Sequence, residues 1–459
     1  MIKDTLVWAE TVFGECQLPD LRLKRRLIRT AAQFASNPEA SVNAACKGDP
    51  AIQEGAYRLL ENDRVSPFDI AEGGFSSTIS AYASNDEDLL LVMDTTKLPF
   101  YHSVCKQLGH LGYSTTKGPF GWHVHSSLML SGTSGLTLGL IDQEWWQRDA
   151  SSHGKNQHRR ERLYQDKESF KWESGLSRAA ERLGSHMSRV ITVGDREADL
   201  YEFLIYNEQH GYRYIVRACY DRSLSDEDVK LFDHLRSQPA LGRTKVEVKQ
   251  RGGRVARVAT VTLRSSRVVL RPPRGKRDAY PPLTLWVVYI EEESPPDGVK
   301  PLIWRLLTTE PAKTFQEALK VQRYYTFRWR VEEFHKAWKT GCSLDEARIQ
   351  YSDNLQRLAQ ILAFVAVRLL QMRECKDTEV LCDQFLKPEE WKLLWLSIMK
   401  DKPLPEKPPP LKWAYYGIAK LGGWIDTKRN GRVGWQAMWK GYNVLQERRE
   451  GWKLAREKM

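Results

Sequence analysis

The chain has 459 residues, 41% of them hydrophobic and 16 of them Trp, so it can bury a substantial core and is not a disordered protein. Lys and Arg outnumber Asp and Glu by 70 to 58, and the net charge of +12 favours a polyanionic partner. Charges throughout the N-terminal stretch and the lack of a long uncharged apolar run predict neither a signal peptide nor a membrane span. Seven scattered Cys residues without a C-x-x-C pair favour reduced thiols in the cytoplasm over a disulfide framework or zinc site.

Residues 1–66 have helical spacing and no strand-like alternation, which predicts a small helical domain. One predicted helix after Asp20 carries a dense basic face, and its arginines are Arg22, Arg25, Arg26 and Arg29. A compact helical module with a cationic face is a plausible reader of DNA. A solvated helix surface explains the same residues equally well.

The middle of the chain predicts a mixed α/β layer. The predicted strands are 89–93, 122–131, 136–146, 189–194 and 212–217, with a basic loop at 151–162 and helices at 168–183 and 198–207. Alternation of Val and Thr with Arg and Lys then predicts an all-β insertion at about 240–310. We therefore expect a mixed α/β region at 67–372.

The last part of the chain is predicted to be helical. Thr314 and Glu317 have the spacing of a capping box that starts a long helix, and a further apolar helix is expected at 354–372. The Pro-rich segment 403–410 is typical of a semi-rigid linker, and a helical segment rich in Trp and basic residues follows it. A third, helical domain is expected at 373–459.

One helical stretch concentrates charge on a single face. At roughly 100° per residue, the side chains of one stripe fall within about 80° of arc, and they are Tyr325, Arg328, Glu332, Lys336 and Lys339. The opposite stripe is bulky and apolar, and it consists of Phe327, Val331, Phe334 and Trp338. An exposed amphipathic helix with a Glu332–Lys336 pair is the simplest interpretation of the stretch alone.

Two carboxylates elsewhere change that interpretation. Asp94 and Asp195 each follow a predicted buried strand, and the ends of such strands meet at the edge where α/β proteins bind ligands. Either one alone is explained as a turn former or helix cap. Together with Glu332, they form an all-oxygen set that suits two Mg²⁺ ions, with Mn²⁺ as a substitute, for phosphodiester displacement.

These residues resemble the bacterial DDE transposases of the insertion-sequence-four class, in its Tn-five-like group. The Tyr-x2-Arg-x3-Glu-x6-Lys motif of that class is met by Tyr325, Arg328, Glu332 and Lys339. Asp94-Thr95-Thr96 and Asp195-Arg196-Glu197-Ala198-Asp199 match its other two acidic motifs. Further matches run from Gln53-Glu54-Gly55 through Gln143-Glu144-Trp145-Trp146 to Leu421-Gly422-Gly423, so the resemblance covers nearly the whole chain.

The resemblance implies an RNase H-like core with a β insertion, an N-terminal domain that reads transposon ends, and a C-terminal domain for dimerisation. It implies that the element is excised from double-stranded DNA through hairpins at its ends and joined to target DNA within a homodimeric synaptic complex. It assigns Asp94, Asp195 and Glu332 as metal ligands. The DNA contacts that it implies are Tyr325, Arg328, Lys336, Lys339, Arg217 and Lys428, with Trp304 as the indole that stacks on a flipped base.

Two positions depart from the pattern. The class has basic residues at two positions that Tyr101 and Cys219 occupy in this sequence. An ordinary β-core tryptophan remains the alternative for Trp304. For the whole chain, the alternatives are a stand-alone RNase H-like nuclease and a non-catalytic DNA-binding or dimerising regulator of transposition. The three carboxylates disfavour the regulator, and the N- and C-terminal domains disfavour the plain nuclease.

Overall fold

The protein is described from a computed structural model that covers residues 4–46, 48–82, 86–112, 119–148, 162–225, 228–248, 256–374, 379–427 and 433–457. Nearly all of the predicted basic loop at 151–162 lies outside these residues, and so does Lys428.

The N-terminal region is helical, as predicted, and its helices begin at side-chain caps. Asp4, Asp20, Ser41 and Asp49 each accept hydrogen bonds from the free N–H groups of the helix that follows. The first five helices are α1 (Thr5–Phe13), α2 (Leu21–Ser36), α3 (Val42–Ala45), α4 (Pro50–Leu60) and α5 (Pro67–Tyr82).

A mixed nine-stranded sheet forms the centre of the molecule. Its strands are β1 (Leu89–Phe100), β2 (Phe120–Ser131), β3 (Thr137–Trp146), β4 (Val190–Gly194), β5 (Arg213–Arg217), β6 (Gly242–Val248), β7 (Arg257–Leu270), β8 (Leu283–Glu292) and β9 (Ile303–Thr308). The spatial order is β3-β2-β1-β4-β5-β9-β8-β7-β6. Neighbours β1, β4 and β5 are parallel, and the other pairs are antiparallel. The predicted insertion is thus joined edge to edge to the central strands through β5 and β9.

Helices cover both faces of the sheet. The remaining ones are α6 (Lys171–Leu183), α7 (Tyr201–Gln209), α8 (Leu231–Ser237), α9 (Phe315–Phe327), α10 (Trp329–Lys336), α11 (Ser352–Glu374), α12 (Pro388–Ile398), α13 (Leu411–Leu421) and α14 (Trp435–Glu457). One large apolar cluster joins α1, α2, α10 and α11 to one face, and a second joins α6 and α7 to the other. Thr314 caps α9 in the capping box predicted with Glu317.

Helix α11 is the core helix of the first cluster. It is the one helix in the described part of the chain that is long and apolar enough to cross a membrane, but 83% of its most apolar window is buried inside the protein. Arg357, on the same helix, donates hydrogen bonds to the carbonyl oxygens of Leu60 and Val65, and so ties the N-terminal helices to the sheet.

Candidate active site

Asp94 and Asp195 occupy equivalent positions on neighbouring parallel strands. The ladder between β1 and β4 ends at the pair Val92 and Val193, and each Asp lies two residues further on. Asp195 directly follows β4, as predicted. The prediction that Asp94 lies past its strand is wrong, because β1 continues to Phe100 along its pairing with β2. The two carboxylates still meet at the carboxyl edge of the parallel strands.

Local backbone hydrogen bonds orient both carboxylates. The amide of Thr95 donates to Asp94 Oδ1 at 2.9 Å. The amide of Glu197 donates to Asp195 Oδ1 at 2.8 Å, so Asp195 also caps the short 3-10 turn that follows β4. Capping a turn and lining the cleft are therefore compatible for this side chain.

The segment that carries Glu332 is divided into two helices at Arg328, whereas the sequence predicts one continuous helix. At Arg328 the hydrogen bonds tighten, because its N–H donates to Tyr325 O and its own carbonyl accepts from Val331. Helix α9 therefore ends at Phe327 and α10 begins at Trp329, and α10 widens into a π-turn at Ala337–Gly341 that carries Lys339. The predicted core stripe is largely confirmed, since Val331, Phe334 and Trp338 are fully buried and Phe327 is half-buried.

One open cleft of about 680 Å³ brings these segments together. Of the residues singled out in the sequence, it is lined by Asp94, Asp195, Glu332, Arg217, Tyr325, Arg328, Lys336 and Lys339. The other lining residues are Thr95, Thr96 and Arg196, which the sequence indicates only as parts of the acidic motifs, and His335 and Thr340, which it does not indicate. Thr96 holds the amine of Lys339 through a 2.9 Å hydrogen bond, and only its place in the Asp94 motif could have indicated a role.

The electrostatics of the cleft are set by buried acids around one arginine. Burial raises the pKa of Asp94 to about 7, and repulsion from Asp195 and Glu332 adds to the effect while the attraction of Arg328 opposes it. Burial also raises the pKa of Asp195. The Arg328 guanidinium forms an ion pair with Glu332 and lies 3.9 Å from Asp94 Oδ2. Burial lowers the pKa of His335 to about 3, so this neighbouring ring is neutral at physiological pH.

A second groove opens directly beside the cleft. It has a volume of about 1100 Å³ and shares Arg196, Arg217, Tyr325 and Arg328 with the cleft. Trp304 on β9 lines it and meets the ring of Tyr325 edge-on, with a centroid distance of 5.0 Å. Arg217, at the end of β5, donates a 2.9 Å hydrogen bond to the carbonyl of Ile303. Trp304 is therefore a half-buried groove residue and not a fully enclosed core side chain.

The remaining predicted contacts lie apart from the cleft lining. Arg22, Arg25 and Arg29 are exposed on α2, and Arg26 is half-buried. Tyr101 and Cys219 are both exposed, just past the ends of β1 and β5.

The donor chemistry of the cleft suits a hard divalent cation, because the three acids offer only oxygen ligands. In this conformation no three His, Cys, Asp or Glu side chains of the described residues are close enough together to hold one ion. Arg328 instead pairs with Glu332 and lies beside Asp94.

Two known families match parts of this chain. Residues 6–65 match the transposase DNA-binding family, and residues 174–368 match the transposase DDE domain family. The second range contains Asp195 and Glu332, and Asp94 precedes it. The chain thus carries a DNA-binding domain and a DDE domain of transposases, and its mixed sheet with flanking helices is the RNase H-like core. Both domains support a DNA-binding DDE transposase, a class whose activity depends in general on divalent metal.

Proposed function

We propose that this protein is a cut-and-paste DNA transposase of the insertion-sequence-four class. In this proposal it binds the terminal inverted repeats of its element, excises the element through DNA hairpins, and joins the 3′ ends to target DNA. The observation that carries the proposal is the cleft in which Asp94, Asp195 and Glu332 meet beside Arg217 and Lys339. Cations next to an acidic oxygen cluster suit a phosphodiester held at a metal site.

The proposed ligands of Mg²⁺, or of Mn²⁺ in its place, are Asp94, Asp195 and Glu332. The chemistry that two bound ions supply is activation of the attacking oxygen and stabilisation of the leaving oxygen. The protein side chains would position the DNA. Lys336, Lys339 and Arg328 would neutralise phosphate oxygens, and Arg328 has the bidentate fork for this purpose.

In this proposal Trp304, which lines the groove beside the cleft, receives a base. Its indole is half-buried and is held against Tyr325, so one face can be offered to a ligand. Stacking there would return part of the few kcal/mol that base extrusion costs. This supports hairpin formation next to the carboxylates.

We further propose an organisation into an end-binding domain at 1–66, a catalytic domain at 67–372 and a dimerisation domain at 373–459. In this scheme α2 contacts DNA through its arginines, and Lys428 adds a contact from the C-terminal domain. The working form would be a homodimer that holds two DNA ends, in the bacterial cytoplasm.

The proposal is tested with purified protein, Mg²⁺ and the inverted repeats that flank the gene. We expect a synaptic complex and release of flanking DNA through a hairpin. Glu332→Ala should reduce cleavage by about 100-fold or more with DNA binding unchanged. The matched control is Glu181→Ala, which removes an exposed carboxylate on α6. Cleavage by the Glu332→Ala protein at the wild-type rate would refute the assignment of Glu332 as a metal ligand.

A further inference from the structure

Arg328 contacts the acids of the cleft. Its guanidinium pairs with Glu332 and lies 3.9 Å from Asp94, and its charge also acts on Asp195. Its side chain is only 14% exposed, so the pairing takes place in a region of reduced screening. The positive charge of Arg328 therefore acts on all three proposed metal ligands.

The same side chain lines the neighbouring groove of Trp304. Arg328 is the residue at which α9 ends and α10 begins, and its backbone stays in the helical region. A rotamer change at Arg328 would carry the guanidinium from the carboxylates toward a phosphate bound in the groove. One arginine thus borders both the carboxylates and the groove.

We propose that Arg328 couples DNA binding to metal binding by filling the metal site until a DNA phosphate draws it away. This inference rests on the proposed function, in which Asp94, Asp195 and Glu332 are the ligands. A guanidinium and a divalent ion would each neutralise the same three carboxylates. Binding of one therefore excludes binding of the other. A phosphate that pairs with Arg328 frees the oxygens, and the ion and the DNA then strengthen each other's binding. The free protein is thereby kept from acting as an unspecific metal-dependent nuclease.

The test is binding of Mn²⁺ to the full-length, DNA-free protein, measured by electron paramagnetic resonance. We expect Arg328→Gln to bind Mn²⁺ about tenfold more tightly than the wild type. Lys336→Ala is the matched control, because it removes a positive charge from an exposed site on the same stripe. If both variants change the affinity equally, the gain is general electrostatics and the proposal is overturned.

Two further variants separate this inference from the proposed function. Arg328→Lys retains a charge for folding but loses the fork, and it should also bind Mn²⁺ more tightly than the wild type. Adding Asp94→Ala to Arg328→Gln should abolish the gained binding. Undiminished binding by that double variant would refute the ligand assignment itself, whereas wild-type affinity in both single Arg328 variants would refute only the coupling.

The wild-type protein offers a complementary measurement. A duplex of the element's inverted repeat should raise its Mn²⁺ affinity, and the same duplex should have a much smaller effect on Arg328→Gln. Equal enhancement in the two proteins would overturn the role of Arg328 in the coupling.

Discussion

At the scale of single residues, the packing of Trp304 in the protein can be tested separately from its proposed contact with a DNA base. Its ring packs against the large apolar cluster and also lines the open groove beside the cleft. Trp304→Ala should slow hairpin formation about tenfold more than the first nick, since stacking on a base is worth about 1–3 kcal/mol. Trp304→Phe, which keeps an aromatic face, is the control. Equal losses in both steps, measured by gel analysis of end-labelled DNA, would indicate a purely structural tryptophan.

Asp88 offers a stability prediction at the same scale. Burial tends to raise its pKa, but hydrogen bonds from Arg213, Lys320 and Tyr324 prevail and lower the pKa to about 2. Because the folded pKa lies below the unfolded one, this stabilisation is present above about pH 4 and is lost as the pH falls toward 2.

Asp88→Asn should therefore lower the free energy of unfolding by about 1–2 kcal/mol near pH 6. Its deficit relative to the wild type should shrink below pH 4, which urea denaturation at several pH values would measure. Asp86→Asn, two residues earlier at an exposed position, is the control. A deficit that does not change with pH would contradict the electrostatic explanation.

At the scale of elements, the sequence predicts best where apolar patterning is strong. Strand β4 is a continuous buried run, so its end and the position of Asp195 could be located. Strand β1 is continuously apolar only as far as Met93, and the segment that follows, which begins with four polar residues, is held in the sheet by pairing with β2. Such long-range pairing is invisible in a local pattern, which is why Asp94 was placed past the strand.

The interruption of the helix at Arg328 could not be predicted from the local pattern either. The stripe from Tyr325 to Lys339 has regular helical spacing, and nothing in those residue types interrupts a helix. The structure nevertheless has a tightened turn at Arg328 and a π-turn at Ala337–Gly341. The residue types of the site were thus predictable, but the pairing of Arg328 with Glu332 and its contribution to the charge balance were not.

The turn after this π-turn contains strain that a substitution should relieve. Ser343 has φ of 46° and ψ of 33°, a left-handed conformation that is costly for residues other than glycine. Ser343→Gly should raise the free energy of unfolding by about 0.5–1 kcal/mol in urea denaturation. Ser80→Gly, inside helix α5, should instead lower it by about 0.5 kcal/mol. Destabilisation by both changes would show that Ser343 makes a compensating contact.

At the scale of the whole molecule, the net charge of +12 has a measurable consequence. DNA affinity should fall steeply with salt concentration, because phosphate contacts release counterions. Replacing Arg22, Arg25 or Arg29 by alanine should in each case reduce the slope of log affinity against log salt concentration by about 1. Arg58→Ala, which removes an arginine paired with Glu54 on α4, should leave the slope unchanged. An unaltered slope in all three α2 variants would show that the end-binding surface lies elsewhere on the protein.

The junction between β5 and β9 limits how this molecule can be rearranged. Three residues of β5 pair with β9, and the amide of Ala218 adds a 2.7 Å hydrogen bond to Arg305 O. Strand β9, which carries Trp304, is therefore hydrogen-bonded to β5, which ends at Arg217. An inserted module from a relative could replace β6 to β9 only if it brought an edge strand with the same register. The four inserted strands thus cannot evolve as an independent appendage, because the alignment of their groove with the carboxylates depends on a shared backbone ladder.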